Sequence, residues 1–386
     1  MRVPTLRLLV GALALSIAPF ALQAQGPATW LSASRTVAPG VEFFTSTDAS
    51  LSEPSAPTAL YVLKLDPAKV TLSSAHAHDE VLGLETVRDI ARRNGAIAAV
   101  NAGFFNTRNG DPSSVLKIGG ELVSDASVAK GVVAIGPAAQ PAMAFDVLSA
   151  KQAIRVTNAA ADIAIDGVDT TRARGKLMLF TPKYHADTDT APNGTEIVAS
   201  GTPLTVREVR VDMGHTPIPR DGVVLSFGGL ELPPAIAALK PGVTFSIVTK
   251  WKSQHGVPDA VFDGARDIVN GAGLLRRAGA VINDWKPEAL NTASFVEAKH
   301  PRTVIGVDDR GFIWLIAIDG RQPGYAAGMD FRELQRVCDR LKLRDALNLD
   351  GGGSVTMVVN GAVVNRPSDP TGPREVSDAL IVTAKK

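Results

Sequence analysis

The chain carries at residues 348–357 the stretch Asn348-Leu349-Asp350-Gly351-Gly352-Gly353-Ser354-Val355-Thr356-Met357. A mainly apolar run, residues 346–349, leads a carboxylate directly into three glycines, and a strand bearing hydroxyl groups follows. Glycine has no Cβ, so its N–H can come close to a ligand and its φ can be positive. Such a turn can gather N–H donors around an anion. An isolated triple glycine is more often a tight turn between strands, but the flanking Asp350, Ser354 and Thr356 predict a small polar site.

The elements around this turn predict an α+β fold. Asp330 and Glu333 have the spacing of a capping box and open a helix before the turn. Residues 303–307 and 311–318 are apolar and predict two strands joined by a short turn. After the glycines, Asn360-Gly361 is the preferred pair of a tight hairpin. We therefore expect a mixed β-sheet core flanked by two main helices.

The N-terminal half adds the second helix and more strands. Apolar residues spaced for one helical face predict a helix over residues 84–91, and the apolar run 96–100 predicts a buried strand. Residues 60–65 predict another strand. From about residue 141 to 254, short strand patterns alternate with turn pairs. This middle section is predicted to be a β-rich insertion, at about 141–254, in one domain that spans residues 59–386.

The first 58 residues differ from the rest of the chain. Arg2 and Arg7 precede an apolar core at residues 8–18, and small residues follow up to Ala24. This order is typical of a secretory signal peptide, predicted for residues 1–24. Residues 25–58 are rich in Ser, Thr, Ala and Pro and predict a loosely ordered lead-in. No later segment is long and apolar enough to span a membrane, so we expect a periplasmic or secreted bacterial protein without a stable membrane span after signal cleavage.

Charge and cysteine content narrow the classes of partner. The formal net charge of +1 gives no general attraction to nucleic acid, and none is expected as a partner. The single cysteine, Cys338, allows no internal disulfide and lies on the apolar face of the helix after Asp330, so it predicts a core residue. His76 and His78 share one strand face, but no third ligand is evident, so no zinc site is predicted.

Several motifs agree in their order along the chain. They are Asn101–Phe105, Pro219–Ser226, Gly271–Leu275, His300–Gly306, Asp319–Arg321, Gly328–Met329, Asn348–Met357, Arg366–Asp369 and Val376–Leu380. With these motifs the chain resembles the phosphodiester glycosidase family from about Leu60 to the C-terminus. The resemblance implies an exported hydrolase that cleaves a glycosyl-1-phosphodiester, such as an N-acetylglucosamine-1-phosphodiester, to free sugar and a phosphomonoester. The implied partner is a sugar phosphate or a phosphorylated glycan.

Four residues are candidates for catalysis. The leaving group of this reaction is a phosphate ester, a stable anion, so strong general-acid help is less necessary than in ordinary glycoside hydrolysis. Asp350 and Asp319 each end an apolar strand and could activate water or stabilise an oxocarbenium-like centre. Arg302 offers a planar pair of donors suited to phosphate. His300 titrates in the useful range, although it could equally be a structural histidine.

The remaining candidates would bind substrate. Asn101 and Asn106 could donate hydrogen bonds to sugar hydroxyls or to an acetamide, and Asn101 could instead only cap the turn after its strand. Gly351, Gly352 and Gly353 could supply N–H groups, and Ser354 and Thr356 alternate on one strand face. Two further carboxylates, Asp369 and Asp378, are expected to fix the C-terminal segment.

Two other functions remain open from the sequence. A non-catalytic envelope protein that binds phosphorylated polysaccharide could use the same asparagines and arginine. A phosphodiesterase that attacks phosphorus would be expected to carry a metal pair or a strong nucleophile, and neither has a clear signature here. No cofactor is expected. The sequence neither requires nor excludes a divalent cation at Asp350 or Asp319.

Overall fold

The computed structural model describes residues 30–124, 126–136, 143–157, 159–290 and 292–385. The signal peptide expected at residues 1–24 lies outside these ranges. Within them, no helix is long and apolar enough to cross a membrane.

The described residues form 27 β-strands and four short α-helices. The strands are β1 (Arg35–Ala38), β2 (Val41–Ser46), β3 (Leu60–Leu65), β4 (Val70–His76), β5 (Glu85–Thr86), β6 (Ala98–Asn101), β7 (Lys117–Ile118), β8 (Glu121–Leu122), β9 (Lys130–Ile135), β10 (Met143–Val156), β11 (Ile163–Ala164), β12 (Gly167–Val168), β13 (Leu177–Phe180), β14 (Thr195–Ser200), β15 (Leu204–Val211), β16 (Gly222–Phe227), β17 (Thr244–Ser253), β18 (Asp267–Asn270), β19 (Leu274–Arg277), β20 (Ala280–Val281), β21 (Arg302–Asp308), β22 (Ile313–Ile318), β23 (Leu343–Asn348), β24 (Met357–Val359), β25 (Ala362–Val363), β26 (Glu375–Val376) and β27 (Asp378–Ala384). The helices are α1 (Val87–Arg93), α2 (Pro234–Ala237), α3 (Asp259–Gly264) and α4 (Phe331–Arg340).

Three sheets carry the fold. The first has the strand order β1-β2-β3-β22-β21-β23-β19-β20, and the second, with 12 strands, runs from β12 through β10 and β9 to β8. The third has the order β25-β24-β6-β27-β4. The largest hydrophobic cluster draws on all three sheets, with Leu315, Val133 and Leu380 as examples. Because they lie between packed layers, strands β21 and β22 are buried along their whole length.

The expected α+β class holds only in part. Strands dominate, and every strand pair is antiparallel except the two-residue pair β12–β13. Two helices do flank sheets, as expected. Helix α4 covers the first sheet and has the capping box of Asp330 and Glu333, and its buried Cys338 belongs to that core. Helix α1 covers the third sheet and begins at Val87, later than expected, because Glu85 and Thr86 form the short strand β5.

The lead-in predicted to be loosely ordered at residues 25–58 is a different case. Strands β1 and β2 lie within it, and β2 pairs along its length with β3. Phe43 and Phe44 point to opposite faces of the first sheet and enter two different cores. Their burial stabilises β2, so residues 35–46 form ordered strands and differ from the expected loose order. The polar composition of the segment obscured this short apolar run.

The middle section at about 141–254 contains strands β10 to β17, all of which belong to the second sheet. Strand β10 also pairs with β9, which precedes the section. The section is therefore continuous with the sheet of the surrounding chain. Its description as an insertion into a domain of residues 59–386 stays a prediction.

The ends of four strands meet at one place. Val304 of β21 pairs with Asn348 of β23, and Ala379 of β27 pairs with Asn101 of β6. The glycine turn, which follows β23, then links the first sheet to the third. The polar residues at the ends of these strands are therefore close to one another.

Candidate functional site

The glycine turn is fixed by its backbone to the two neighbouring strands. The N–H of Asp350 donates to the Ala102 carbonyl oxygen at 2.9 Å, and the N–H of Gly352 donates to Pro301 at 2.9 Å. A Cβ at Gly351 would lie 2.7 Å from the Pro301 oxygen, and Gly352 has a φ of +60°. Glycine is needed at Gly351 because a side chain would force the turn away from Pro301, and it is favoured at Gly352 because the φ there is positive.

Asn101 joins three segments at this turn. Its Nδ2 donates to the Asp350 carbonyl oxygen at 2.7 Å. Its Oδ1 accepts from Thr303 Oγ1 at 2.7 Å and from the Thr356 N–H at 3.2 Å. Because the side chain is buried and these protein groups use it, Asn101 organises the site instead of presenting a free amide to a ligand.

Two carboxyl groups occupy the centre of the site. Asp378 begins β27 and is buried, and burial raises its pKa to about 7, with the Asp350 charge adding to the rise. Asp350 is partly exposed as a residue, but its carboxylate lies among protein atoms and burial raises its pKa to about 6. The Gly351 N–H donates to Asp350 Oδ1 at 2.9 Å and opposes the rise. Near neutral pH the pair can hold one proton, which is the state that acid–base chemistry by two carboxyl groups requires.

The loop after β6 is held by Asp378 and by a second asparagine. The Gly103 N–H donates to Asp378 Oδ1 at 3.0 Å, and the Phe104 N–H donates to Asn270 Oδ1 at 2.9 Å. A Cβ on Gly103 would lie 3.0 Å from Asn270 Nδ2 and 3.2 Å from Asp378 Oδ2. Both of these atoms are buried and have no hydrogen-bond partner among the described residues. A buried donor and a buried acceptor thus lie side by side without partners, an arrangement with a free-energy cost that binding sites commonly carry.

The hydroxyl groups after the glycines complete this cluster. Ser354 and Thr356 are fully buried. Thr356 Oγ1 has no partner among the described residues. Ser354 Oγ lies beside the Asp350 carboxylate and opposes the rise in its pKa, without reaching hydrogen-bond geometry. Ser354 therefore lies beside Asp350, and Thr356 is linked to the same turn through Asn101. Their role in substrate binding stays a prediction.

A cavity of about 200 Å³ has Asn270 and Phe104 in its wall. Its other lining is mostly apolar and includes Leu290 and Phe295, whose ring centroid is 6.0 Å from that of Phe104. Lys130 also lines it and donates to the Glu288 carbonyl oxygen at 2.8 Å. An apolar cavity with a few placed polar groups is the usual form of a small-molecule site.

A guanidinium group covers the outer side of the glycine turn. A Cβ on Gly352 would lie 3.1 Å from Arg321 Nη1. Arg321 is exposed and donates to His300 Nδ1 at 3.0 Å. A Cβ on Gly353 would overlap with the side chains of Asp369 and Arg374. These two side chains form an ion pair, in which Arg374 Nε lies 2.8 Å from the Asp369 carboxylate. The turn is therefore bordered by two arginines, one of which is neutralised by a carboxylate.

Arg302, the expected phosphate ligand, is placed differently. It is buried, and its guanidinium donates to the carbonyl oxygens of Met329 at 2.9 Å, Phe295 at 2.6 Å and Ala298 at 3.0 Å. The rings of Phe295 and Phe331 lie against it at 5.0 and 4.9 Å. Burial lowers its pKa to about 9. This geometry indicates a structural role, because Nε and Nη2, which could together form a bidentate contact with phosphate, already donate to these carbonyl oxygens.

Two other candidates, Asp319 and Asn106, form hydrogen bonds with protein groups. Asp319 is buried and accepts from Asn365 Nδ2, the Arg366 N–H and the Tyr325 hydroxyl at 2.8 to 2.9 Å. Asn106 is exposed and accepts from the Arg108 N–H at 3.1 Å in its own loop. The catalytic role expected of Asp319 and the binding role expected of Asn106 stay predictions.

The structure also brings in residues that the sequence did not single out for the site. Asp378 was expected only to fix the C-terminal segment, and Asn270 and Arg321 were not considered. Asn270 follows an apolar strand and precedes Gly271, the same pattern that drew attention to Asn101. Arg321 was within a motif but has no feature of its own that marks it. The described residues contain no group of three His, Cys, Asp or Glu placed to hold a metal ion.

The chain is similar to known proteins in sequence and in fold. Residues 193–383 match the family model described as phosphodiester glycosidase. The mouse N-acetylglucosamine-1-phosphodiester alpha-N-acetylglucosaminidase is 30% identical over 150 residues, which are 36% of this chain and 29% of the mouse protein. The match thus spans less than a third of that relative.

Two solved structures share the fold. A hypothetical protein from Synechocystis aligns with a TM-score of 0.76 at 21% identity, over 92% of this chain and 64% of its own. A Burkholderia pseudomallei K96243 protein described as exported aligns with a TM-score of 0.70 at 24% identity, over 85% of this chain and 74% of its own. The fold is therefore found in other bacterial proteins. The part of the chain that carries the glycine turn, Arg321 and Asp378 is similar to the phosphodiester glycosidase family.

Proposed function

We propose that the protein is a hydrolase that cleaves a glycosyl-1-phosphodiester to free sugar and a phosphomonoester. The observation that carries the proposal is the pair of carboxyl groups, Asp350 and Asp378, whose pKa values are both raised toward neutral pH in one site. The match of residues 193–383 to the phosphodiester glycosidase family supports the same reaction class. An N-acetylglucosamine-1-phosphodiester is the substrate type we propose, because a relative named for that activity matches part of the chain.

The two carboxyl groups would have different roles in the reaction. Asp350, with the lower pKa, is the group that ionises first and would activate water or stabilise positive charge at the anomeric carbon. Asp378 would keep its proton until the bond breaks and would then pass it to the phosphate oxygen that leaves. The water oxygen bonds to the anomeric carbon, the bond from that carbon to the phosphate oxygen breaks, and the bonding electrons leave with the phosphomonoester. The proton from water passes to the carboxylate.

The phosphate would lie over the glycine turn. Arg321 borders Gly352 from the outer side, and the Gly353 N–H has no acceptor among the described residues. A guanidinium group and a backbone N–H are the donors that phosphate oxygens commonly accept from. In this arrangement Arg321 takes the role that the sequence suggested for Arg302.

The sugar would lie on the inner side of the carboxyl pair. Asn270 Nδ2 and Thr356 Oγ1 are buried and unpartnered there, as is Asp378 Oδ2. Phe104 offers an apolar surface at the adjoining cavity. Sugar rings combine hydroxyl groups with apolar C–H faces, so a site with both kinds of surface fits them. Export through the N-terminal segment and a periplasmic or secreted location remain part of this proposal, supported by a structural relative described as exported.

Replacing Arg321 by Ala tests the phosphate end of the site. We expect kcat/KM for the methyl diester of α-N-acetylglucosamine-1-phosphate to fall by about 10- to 100-fold, which corresponds to the loss of one charge-assisted hydrogen bond. The rate of free sugar release by purified protein measures it, with UDP-N-acetylglucosamine as a second substrate. Arg92→Ala is the matched control because Arg92 is an exposed arginine on α1. Wild-type kinetics in the Arg321 variant would remove Arg321 from the site.

A further inference from the structure

His300 lies between Arg321, which borders the glycine turn, and the segment that contains Ser294. Its Nε2 is 2.9 Å from the Ser294 carbonyl oxygen, and its Nδ1 is 3.0 Å from Arg321 Nη2. A carbonyl oxygen can only accept a hydrogen bond, and a guanidinium group can only donate one. The imidazole must therefore carry its proton on Nε2 and leave Nδ1 bare. A doubly protonated ring would lose the bond from Arg321.

Arg321 has few other restraints. Its side chain is exposed, and it forms no ion pair among the described residues. An exposed arginine ordinarily samples many rotamers, and fixing it costs conformational entropy. The hydrogen bond to His300 is thus the polar contact that holds the guanidinium beside Gly352.

His300 itself is firmly held. Its backbone N–H and carbonyl group both pair with Met329, at 3.3 and 2.9 Å. Arg302 donates to Met329 and also to Phe295 and Ala298, which follow Ser294 in the chain. The buried Arg302 therefore fixes both segments between which the imidazole lies. Burial lowers the pKa of His300, the hydrogen bond to Ser294 opposes the fall, and the charges of Arg302 and Arg321 add to it.

From these contacts we propose that His300 is a positioning residue: as the neutral Nε2–H tautomer it holds Arg321 over the glycine turn, ready for a phosphate or another tetrahedral anion. The inference rests on the proposed function in that Arg321 is taken to bind the phosphate of the substrate. It assigns His300 no proton transfer. In this proposal Arg302 does not contact substrate. It acts indirectly, because it fixes the segments that hold His300.

Sulfate binding at pH 8 tests the inference without any turnover. Sulfate is a suitable probe because it is tetrahedral and keeps its charge across the working pH range. By titration calorimetry, His300→Ala should weaken sulfate binding about tenfold, and Arg321→Ala should weaken it at least as much. His300→Gln should stay within about threefold of wild type, because the amide N–H can donate to Ser294 while the amide oxygen accepts from Arg321.

Several results would overturn the inference. They are a wild-type affinity in His300→Ala, a loss in His300→Gln equal to that in His300→Ala, or no sulfate binding by the wild-type protein. Ring nitrogen shifts from NMR of the wild-type protein at the same pH give an independent readout. A proton on Nδ1 would contradict the proposed tautomer. Turnover of the diester is measured separately, so the expected sulfate results together with no turnover would leave the anion site intact and reject only the hydrolase function.

Discussion

Asp378→Asn is expected to lower kcat/KM for the glycosyl-1-phosphodiester by about a thousandfold, within the range ascribed to general acid–base groups. The amide keeps the shape of the carboxyl group and can still accept from the Gly103 N–H. It cannot bind or release a proton, and it has no charge that could interact with the Asp350 carboxylate. Steady-state kinetics of sugar release measure the effect. Asp345→Asn is the control, since Asp345 is a buried carboxylate that bonds the Ala278 N–H outside the site, and it should retain most of the activity.

The same variant should be folded and less sensitive to pH. The pKa of Asp378 is about 7 in the folded protein against an ordinary value of 3.8, so between about pH 4 and pH 7 the folded state binds more protons than the unfolded state. The free energy of unfolding of the wild type therefore falls as pH rises through this window. Asparagine does not titrate, so the fall should be smaller in the variant, measured by urea unfolding at pH 5 and pH 8. A variant that keeps both full activity and the wild-type pH dependence would contradict the role of Asp378.

Gly328→Ala is expected to destabilise the protein by about 4 kcal/mol, the sum of an overpacking cost and the cost of a positive φ for a residue with Cβ. Gly328 has a φ of +90°, and a Cβ there would lie 2.5 Å from the backbone carbonyl carbon and oxygen of His300. The contact is with backbone, which cannot turn aside as a side chain can. Urea unfolding measures the loss.

Gly324 provides a matched control four residues away. It also has a positive φ, +77°, but a Cβ there would meet nothing within 4 Å. Gly324→Ala should therefore cost only about 1 kcal/mol, the conformational part alone. Equal losses in the two variants would show that the close approach of Gly328 to His300 does not contribute to stability.

The strands nearest the glycine turn could be predicted because their apolar runs are long and their turns are marked. Strands β21, β22 and β23 and helix α4 lie where the patterns placed them, and the capping box of Asp330 and Glu333 is present. Strand β2 was missed because its polar surroundings suggested a lead-in. Its stability comes from pairing with β3, a long-range contact that a local pattern does not contain.

Part of the site could be predicted because some of its polar residues directly end apolar strands in the sequence. Asp350, the glycines and Thr356 do converge with Asn101, as the motifs indicated. Arg302 was assigned to phosphate because arginine suits phosphate, but its side chain turns to the carbonyl groups of a neighbouring loop. Whether a guanidinium faces a ligand or a carbonyl group depends on packing between distant segments, and the sequence does not show it. The coupling of Asp378 to Asp350 likewise arises only when β27 and the glycine turn meet.

Attack at the anomeric carbon can be tested by hydrolysis of the methyl diester of α-N-acetylglucosamine-1-phosphate in water enriched in oxygen-18. Mass spectrometry of both products then shows where the label is. Attack at the anomeric carbon by water that the carboxyl pair activates predicts the label in the free sugar and none in the methyl phosphate, with no labelled sugar above background from the Asp378→Asn variant. Label in the phosphate would show attack at phosphorus and would contradict the proposed chemistry of Asp350 and Asp378.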